Sequence, residues 1–109
     1  MSAKLLSREM DKSVAGFDWD NGNTEKCQKH GVSIDVIEDL FRAGELHVEP
    51  DVLNSVVEQR FRAVGKTRRN RAVFLVFTIR DRGGDKFIRP ISARYMHKKE
   101  LDEYEKEIS

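Results

Sequence analysis

Cysteine is almost absent from the sequence, and long apolar runs are absent altogether. The single cysteine, Cys27, cannot form an intrachain disulfide, which argues against a small disulfide-stabilised secreted scaffold. No apolar stretch reaches the length of a signal-peptide core or a membrane span. These two absences predict a cytoplasmic protein with no membrane partner.

Metal ligands and phosphate-binding loops are also scarce. The three histidines, His30, His47 and His97, lack close ligand spacing, and one cysteine cannot complete a structural zinc site. A glycine-rich loop of the Walker or dinucleotide-binding type is missing, because Gly83 and Gly84 predict only a hairpin turn. We therefore expect neither a metal nor a cofactor.

Charge is abundant but unevenly distributed. The net charge is only +1, yet residues 59–94 hold eleven Lys and Arg against Asp81 and Asp85, so this segment carries +9 and the rest of the chain −8. Like charges packed this closely repel one another, which favours a partner rich in phosphate or carboxylate. A solvated basic surface without a ligand is the plainer interpretation of the same run.

A chain of 109 residues is long enough for one domain with one modest core. Residues 1–14 lack a sustained apolar period, and we expect them to form a flexible tail. Residues 15–109 are then a single domain.

Helices are predicted in three places. One covers about residues 24–29 before Gly31, and a second begins at Ser33 and repeats apolar residues at intervals of three and four. A third covers residues 94–108, where Leu101 and Tyr104 share a face.

Strands are predicted over residues 16–20, 56–64, 72–79 and 87–93. The run at 72–79 is continuously apolar, which is typical of a central strand covered on both faces. Pro50 indicates that any strand near residues 45–51 lies at an edge or ends early. The element order β-α-α-β-β-β-α does not alternate strictly, which predicts an α+β fold with an antiparallel sheet.

Charged side chains on the predicted strands recur at every second position, so they share a face of the sheet. If the hairpins pair in register, this face collects a carboxylate and several guanidinium groups, whereas a slip of one residue would scatter them. Such a set suits RNA cleavage by the 2′-hydroxyl, because charge then builds on the phosphate oxygens. The residues that share parity are Glu58 with Arg60 and Arg62, Thr78 with Arg80, and Ser92 with Arg94.

Cleavage of this kind also needs groups that move protons. Glu58 is the candidate acceptor on the sheet, and His30, beside Lys29, is the other candidate, because histidine is a common proton carrier in catalysis. Each has a plainer interpretation. Glu58 and Arg60 can be a surface ion pair, and His30 can hydrogen-bond the last carbonyls of a helix that ends at Gly31.

Five blocks of the sequence together resemble the BrnT family of toxins. The likeness covers roughly residues 16–107 in the order and spacing of the family. The blocks are FDWD at 17–20, KCQKHGVS at 26–33, SVVEQRFRAVG at 55–65, VFTIR at 76–80 and IRPISARYMHKKE at 88–100.

The resemblance implies a RelE-like fold, with an antiparallel sheet, two N-terminal helices and a C-terminal helix. It also implies a cytoplasmic bacterial ribonuclease that inhibits translation and growth. Its partners would be RNA and a small BrnA-type ribbon-helix-helix antitoxin. Operator DNA would be bound only through that antitoxin.

Position by position, the resemblance and the strand parity together select the candidate site. We expect Arg60, Arg80 and Arg94 to act on one phosphate, although Pro90 departs from the family pattern and is expected to bend the last strand before Arg94. The candidate catalytic residues are Lys29, His30, Glu58, Arg60, Arg80 and Arg94. The candidate RNA-binding residues, some of which could instead attract the antitoxin, are Arg62, Lys66, Arg68, Arg69, Arg71 and Arg89.

Two other functions fit the same pattern. The chain could be a non-catalytic interaction protein whose basic face binds an acidic partner or nucleic acid, although no helix carries a dense basic stripe suited to the major groove of DNA. It could also be a toxin homologue that has lost its activity. Growth arrest on expression separates an active toxin from both.

Overall fold

The computed structural model describes residues 14–52 and 58–108, which contain three helices and five strands. The tail predicted over residues 1–14 falls outside this part of the chain, except for Val14, which begins the first strand. In chain order, the elements are β1 (Val14–Phe17), α1 (Asn21–Gln28), α2 (Ile34–Ala43), β2 (His47–Pro50), β3 (Arg60–Lys66), β4 (Ala72–Arg82), β5 (Asp85–Tyr95) and α3 (Lys98–Ile108).

The strands form one sheet in the order β1-β5-β4-β3-β2. Strands β2 to β5 pair antiparallel, while β1 runs parallel to β5, so the sheet is mixed and the predicted α+β class is confirmed. The apolar strand β4 is central, as its composition indicated. The strand that ends at Pro50 is an edge strand, which agrees with the missing backbone donor of proline.

The core lies between α1 and α2 and one face of the sheet. Cys27 of α1 and Ile37 of α2 are fully buried there against alternate residues of β4. The ring of Phe41 packs edge-on against Phe77, with 4.9 Å between centroids, and Phe61 stacks on Phe77 from β3. Because alternate residues of a strand point to opposite faces, the remaining side chains of β4 project away from these helices.

Helix α1 begins at Asn21, three residues earlier than predicted. The side chain of Asp20 accepts a hydrogen bond from the backbone N–H of Asn23, and the side chain of Asn23 accepts one from the backbone N–H of Asp20. This reciprocal cap starts a helix in a segment whose composition is typical of a turn. Helix α2 begins after Ser33, as predicted, and Gly44 closes it in the left-handed conformation at φ 67°.

The C-terminal helix begins at Lys98, so the prediction of a helix from Arg94 was wrong. Strand β5 continues to Tyr95, because Arg94 and Tyr95 pair with the first half of β4. A two-residue turn at Gly83 and Gly84, both with positive φ, joins two strands of eleven residues each. Pairing along this long hairpin overrides the helical propensity of the segment.

Candidate active site

One face of the sheet, opposite α1 and α2, carries most of the arginines of the strands. The register places Arg60 opposite Thr78, and Arg62 opposite Val76, which is itself opposite Ser92. We call this surface the arginine face. Its polar members are Arg60 and Arg62 of β3, Thr78, Arg80 and Arg82 of β4, and Arg89, Ser92 and Arg94 of β5.

A bulge in β5 brings its two arginines to the same face. Arg89 and Arg94 are five residues apart, so in a regular strand they would point to opposite faces. The register with β4 shifts between Val76 and Phe77, where Ile91 is the extra residue directly after Pro90. The irregularity expected at Pro90 therefore restores Arg94 to the arginine face.

Glu58 and Arg80 form a bidentate ion pair at one end of this face. Arg80 donates from Nε to Oε2 of Glu58 at 3.1 Å and from Nη2 to Oε1 at 3.2 Å. Both side chains remain partly exposed, at 41% for Arg80 and 36% for Glu58. The two hydrogen bonds therefore fix the relative orientation of the carboxylate and the guanidinium, and both groups remain accessible to a substrate.

The backbone beside Glu58 is held to the central strand. The buried hydroxyl of Thr78 donates to the carbonyl oxygen of Gln59 at 2.6 Å. A cavity of about 390 Å³ adjoins this end of the sheet, and Glu58, Gln59 and Thr78 are among its lining residues, together with the apolar Phe61 and Ile79. Phe61 and Ile79 pair with the core residues Phe77 and Ile88, so the cavity lies toward the helix-covered side of the sheet, and Glu58 lies at its rim.

Other arginines of this face are paired with carboxylates of the same chain. Arg62 contacts Glu49 of β2 at 2.8 Å. Arg82 contacts Asp18 at 2.9 Å. Substrate phosphates that bind these arginines must displace or share the carboxylate partners.

Arg89 serves the fold more than a substrate. Its side chain is only 16% exposed and contacts Asp20 at 3.0 Å and Asp18 at 3.6 Å. The pKa of Asp20 is lowered, first by the backbone N–H of Asn23 and further by Arg89. Arg89 therefore ties the segment between β1 and α1 to the sheet, and little of its guanidinium faces the solvent.

Arg94 lies at the opposite end of the arginine face from Arg80. Its cross-strand partner is Phe74, which lies six residues from Arg80 along β4. At about 3.3 Å per residue, Arg94 is therefore about 20 Å from Arg80 along the strand axis. Arg94 donates to both carboxylate oxygens of Glu100 in α3, at 2.8 and 2.6 Å, and its guanidinium lies 4.9 Å from the ring of Phe74. The hydrogen bonds of this pair raise the pKa of Arg94 and lower the pKa of Glu100. The structure does not bring Arg94 to Glu58 and Arg80.

A family model described as the ribonuclease toxin, BrnT, of type II toxin–antitoxin systems matches residues 19–100. The chain belongs to the BrnT family. It is thus a ribonuclease toxin whose biological partner is an antitoxin. No curated protein matches the chain.

The Lys29–His30 pair of this BrnT chain lies away from the arginine face. The preceding helix, α1, packs its buried Cys27 into the core on the other side of the sheet. Lys29 and His30 are exposed, and within residues 14–52 and 58–108 neither side chain has a hydrogen bond or an ion pair. The sequence could not indicate this, because it did not define which face of the sheet α1 covers.

The basic residues of the β3–β4 hairpin lie at the end of β3 remote from Glu58. Lys66 ends β3, and Arg68, Arg69 and Arg71 belong to the following turn. Lys66 contacts Glu105 of α3 at 3.7 Å, and the guanidinium of Arg71 lies 3.7 Å from the ring centroid of Tyr95. These side chains line a second surface, distinct from the candidate catalytic pair.

Sequence analysis missed two residues that shape the site. Arg82 belongs to the arginine face, and its spacing from Thr78 and Arg80 was enough to identify it. Asn23 is buried and donates from Nδ2 to the carbonyl oxygens of Asp18 and Pro90, both at 2.9 Å. No sequence signal marked Asn23, because its partners are brought together only by the packing of α1 on β5.

Two further observations concern metal ligands and membrane-spanning helices. In the described ranges, no three His, Cys, Asp or Glu side chains are grouped so that they could hold a metal ion. Within the same part of the chain, no helix combines the length and apolar character needed to span a membrane.

Proposed function

We propose that this BrnT toxin is a metal-independent endoribonuclease whose reaction takes place at the Glu58 end of the arginine face. The observation that supports this is the ion pair of Glu58 with Arg80, beside Arg60 of the neighbouring strand. A carboxylate base and two guanidinium groups are the parts that cleavage by a 2′-hydroxyl needs.

In the proposed step, Glu58 accepts the proton of the 2′-hydroxyl while the 2′ oxygen attacks the adjacent phosphorus. The bond from phosphorus to the 5′ oxygen breaks, and the leaving oxygen takes a proton from the solvent, to which this face is open. The products are a 2′,3′-cyclic phosphate and a 5′-hydroxyl. No oxidant or second substrate is required.

Arg80 has two roles in this proposal. Two of its five N–H groups bind the Glu58 carboxylate and orient it, which leaves three for the phosphate oxygens. Arg60 lies one pair along the sheet, opposite Thr78, and supplies a second permanent charge. Since guanidinium groups fit the equatorial oxygens of a five-coordinate phosphorus, they stabilise its charge without a metal.

Family membership supports a proposal for the wider biological role. We propose that the toxin acts in the cytoplasm, where RNA cleavage arrests translation and growth, and that a BrnA-type ribbon-helix-helix antitoxin neutralises it. In this account operator DNA is bound through the antitoxin only. Arg62 and Arg94 have only an assisting role in RNA binding along the sheet, because a glutamate partner already neutralises much of the charge of each.

The direct test is cleavage of RNA by the purified toxin in the presence of EDTA. We expect cleavage to persist, and we expect Glu58→Gln to slow it by about 100-fold, the lower end of what a positioned base contributes. Gln keeps the size of the side chain but cannot accept the proton. Intact RNA with the unchanged toxin, or cleavage abolished by EDTA alone, contradicts the proposal.

The matched control is Glu49→Gln, which removes the same charge from the pair with Arg62 at the edge of the sheet. We expect this variant to cleave at a rate much closer to that of the unchanged toxin. Equal losses for the two variants indicate that the net charge of the surface matters and that Glu58 has no special role. His30→Ala tests the alternative proton carrier in the same assay.

A further inference from the structure

A groove runs between α2 and the β3–β4 hairpin, on the side of the molecule away from Glu58. Its volume is about 640 Å³. Val36, Leu40, Ala43 and Tyr95 provide its apolar lining. Its cationic rim consists of Arg42, Lys66, Arg68, Arg69 and Arg71. We call this surface the hairpin groove.

The hairpin that forms one wall of the groove is a tight, hydrogen-bonded turn. The N–H of Asn70 donates to the carbonyl of Thr67 at 2.8 Å, and the N–H of Thr67 donates to that of Arg71 at 2.9 Å. Asn70 adopts the left-handed conformation at φ 62°, which is typical of a three-residue hairpin loop. Arg68 and Arg69 therefore occupy the central positions of a preorganised turn.

Three of the five rim cations of the hairpin groove differ from the arginines of the sheet, while Arg42 pairs with Glu38 and Lys66 pairs with Glu105. The arginines of the sheet described above are paired with carboxylates, whereas Arg68, Arg69 and Arg71 have no ion pair within residues 14–52 and 58–108. Asp39 is the one acidic residue among the described residues that line the groove. An acidic partner would reduce the repulsion among these arginines.

The apolar lining indicates which kind of acidic partner fits. A nucleic acid needs cations along its phosphates, but it gains little from an aliphatic surface such as Val36 and Ala43. An amphipathic helix needs both an apolar surface and a charged rim. Residues 36–43 of α2 extend about 10 Å at 1.5 Å per residue, which matches about two turns of a docked helix.

We propose that the hairpin groove binds an acidic amphipathic helix of the antitoxin. The apolar side of this helix packs on Val36, Ala43 and Tyr95, and its carboxylates pair with Arg68 and Arg69. This docking site lies apart from Glu58 and Arg80, so it anchors the antitoxin while another part of that protein covers the arginine face. The inference rests on the proposed function, because it assigns a surface to the partner of the toxin.

The test measures binding of the full-length cognate antitoxin, purified and titrated calorimetrically. Arg68→Glu with Arg69→Glu removes the charge complementarity, and Val36→Ser weakens the apolar lining without a change of charge. We expect the double variant to lose at least about tenfold in affinity, since each tenfold is 1.4 kcal/mol, and we expect Val36→Ser to lose several-fold.

The matched control is Lys98→Glu with Lys99→Glu, which makes the same change of charge at two exposed, adjacent lysines that begin α3. We expect its affinity for the antitoxin to stay within about twofold. Thermal unfolding of every variant ensures that a loss of binding does not reflect a loss of folding. Because the assay needs no cleavage, it gives an answer even if the chain cuts no RNA.

Three results overturn the inference. One is unchanged antitoxin affinity in the Arg68→Glu, Arg69→Glu variant. Another is weakened RNA binding in that variant combined with no effect of Val36→Ser on the antitoxin, which assigns the groove to RNA. The third is a change of oligomeric state in the hairpin variants without antitoxin, which assigns the groove to a second copy of this chain.

Discussion

The guanidinium of Arg80 is the group whose removal separates catalysis from stability. Replacing Arg80 with Ala removes a donor from the developing phosphate charge and also releases Glu58 from its fixed position. We expect RNA cleavage to fall by about 100-fold or more, as for other positioned donors. The free energy of unfolding should change by less than about 1 kcal/mol, because the ion pair is partly exposed.

Arg82→Ala is the control for this prediction. Arg82 lies on the same face and is paired with Asp18, but it points away from Glu58 toward the β1 edge. Its loss should reduce cleavage much less in the same assay. If both variants lose equally, the arginine face acts only as a basic surface.

The thiol of Cys27 should make the stability of the toxin depend on pH in the alkaline range. Burial raises the pKa of Cys27 from its ordinary value of 9.0 to about 11. Between these values, the unfolded chain loses the proton while the folded chain keeps it, so stability falls as pH rises, by up to about 1.4 kcal/mol per pH unit. Well below pH 9, where the thiol is protonated in both states, this residue contributes no pH dependence.

Urea unfolding at pH 8 and pH 10.5 measures this effect. The decrease for the unchanged toxin should exceed that for Cys27→Ala, in which the titrating thiol is gone. Equal decreases in the two proteins would show that the folded state does not perturb the thiol.

Residue by residue, strand parity predicted much of the candidate site. Parity gives the face of the sheet on which a side chain lies, so it grouped Glu58, Arg60 and Arg80 correctly on one face. It does not give the position along the strand axis. Arg94 was therefore predicted on the correct face but at the wrong distance. In the structure it lies about 20 Å from Arg80, at about 3.3 Å per residue.

At the scale of elements, Asn23 joins three parts of the fold. Its backbone and side chain cap α1, and its side-chain amide binds the carbonyls of Asp18 and Pro90. Asn23→Ala leaves these groups without partners in a buried site, so we expect a loss of about 2 to 3 kcal/mol, at about 1 kcal/mol for each hydrogen bond. The melting temperature should fall by about 10 °C or more.

Asn21→Ala is the matched control, since Asn21 is exposed at the start of the same helix. Its free energy of unfolding should change by less than about 0.5 kcal/mol. Similar melting temperatures for the two variants contradict the assignment of Asn23 as the link between α1 and β5.

Local sequence patterns predicted an element correctly where the propensity of the segment agrees with its strand pairing or packing in the fold. Helix α2 has both a serine cap and an apolar repeat, and it was predicted at the correct start. Residues 94–95 carry helical propensity, but pairing with Phe74 and Val73 extends β5 through them. The bulge after Pro90 depends on the same pairing. Proline therefore predicted an irregularity in the strand, but not that the irregularity would turn the side chain of Arg94 to the face that carries Arg89.

At the scale of the whole molecule, the +9 segment divides into two surfaces. The arginines of the sheet hold carboxylates in an ordered array, while those of the hairpin border an apolar groove. The sequence predicted the excess of charge but not this division, because the acidic partners come from distant segments such as Asp18, Glu49 and Glu100. Their positions depend on the complete topology of the sheet.

The most direct measurement for the central claim is the chemical nature of the RNA ends that the purified toxin produces in EDTA. Attack by the 2′ oxygen with Glu58 as the base predicts a 2′,3′-cyclic phosphate on one fragment and a 5′-hydroxyl on the other. It also predicts that a single 2′-deoxy nucleotide at the cleavage position blocks cutting there. A 3′-hydroxyl together with a 5′-phosphate, or cleavage at the deoxy position, would contradict the account.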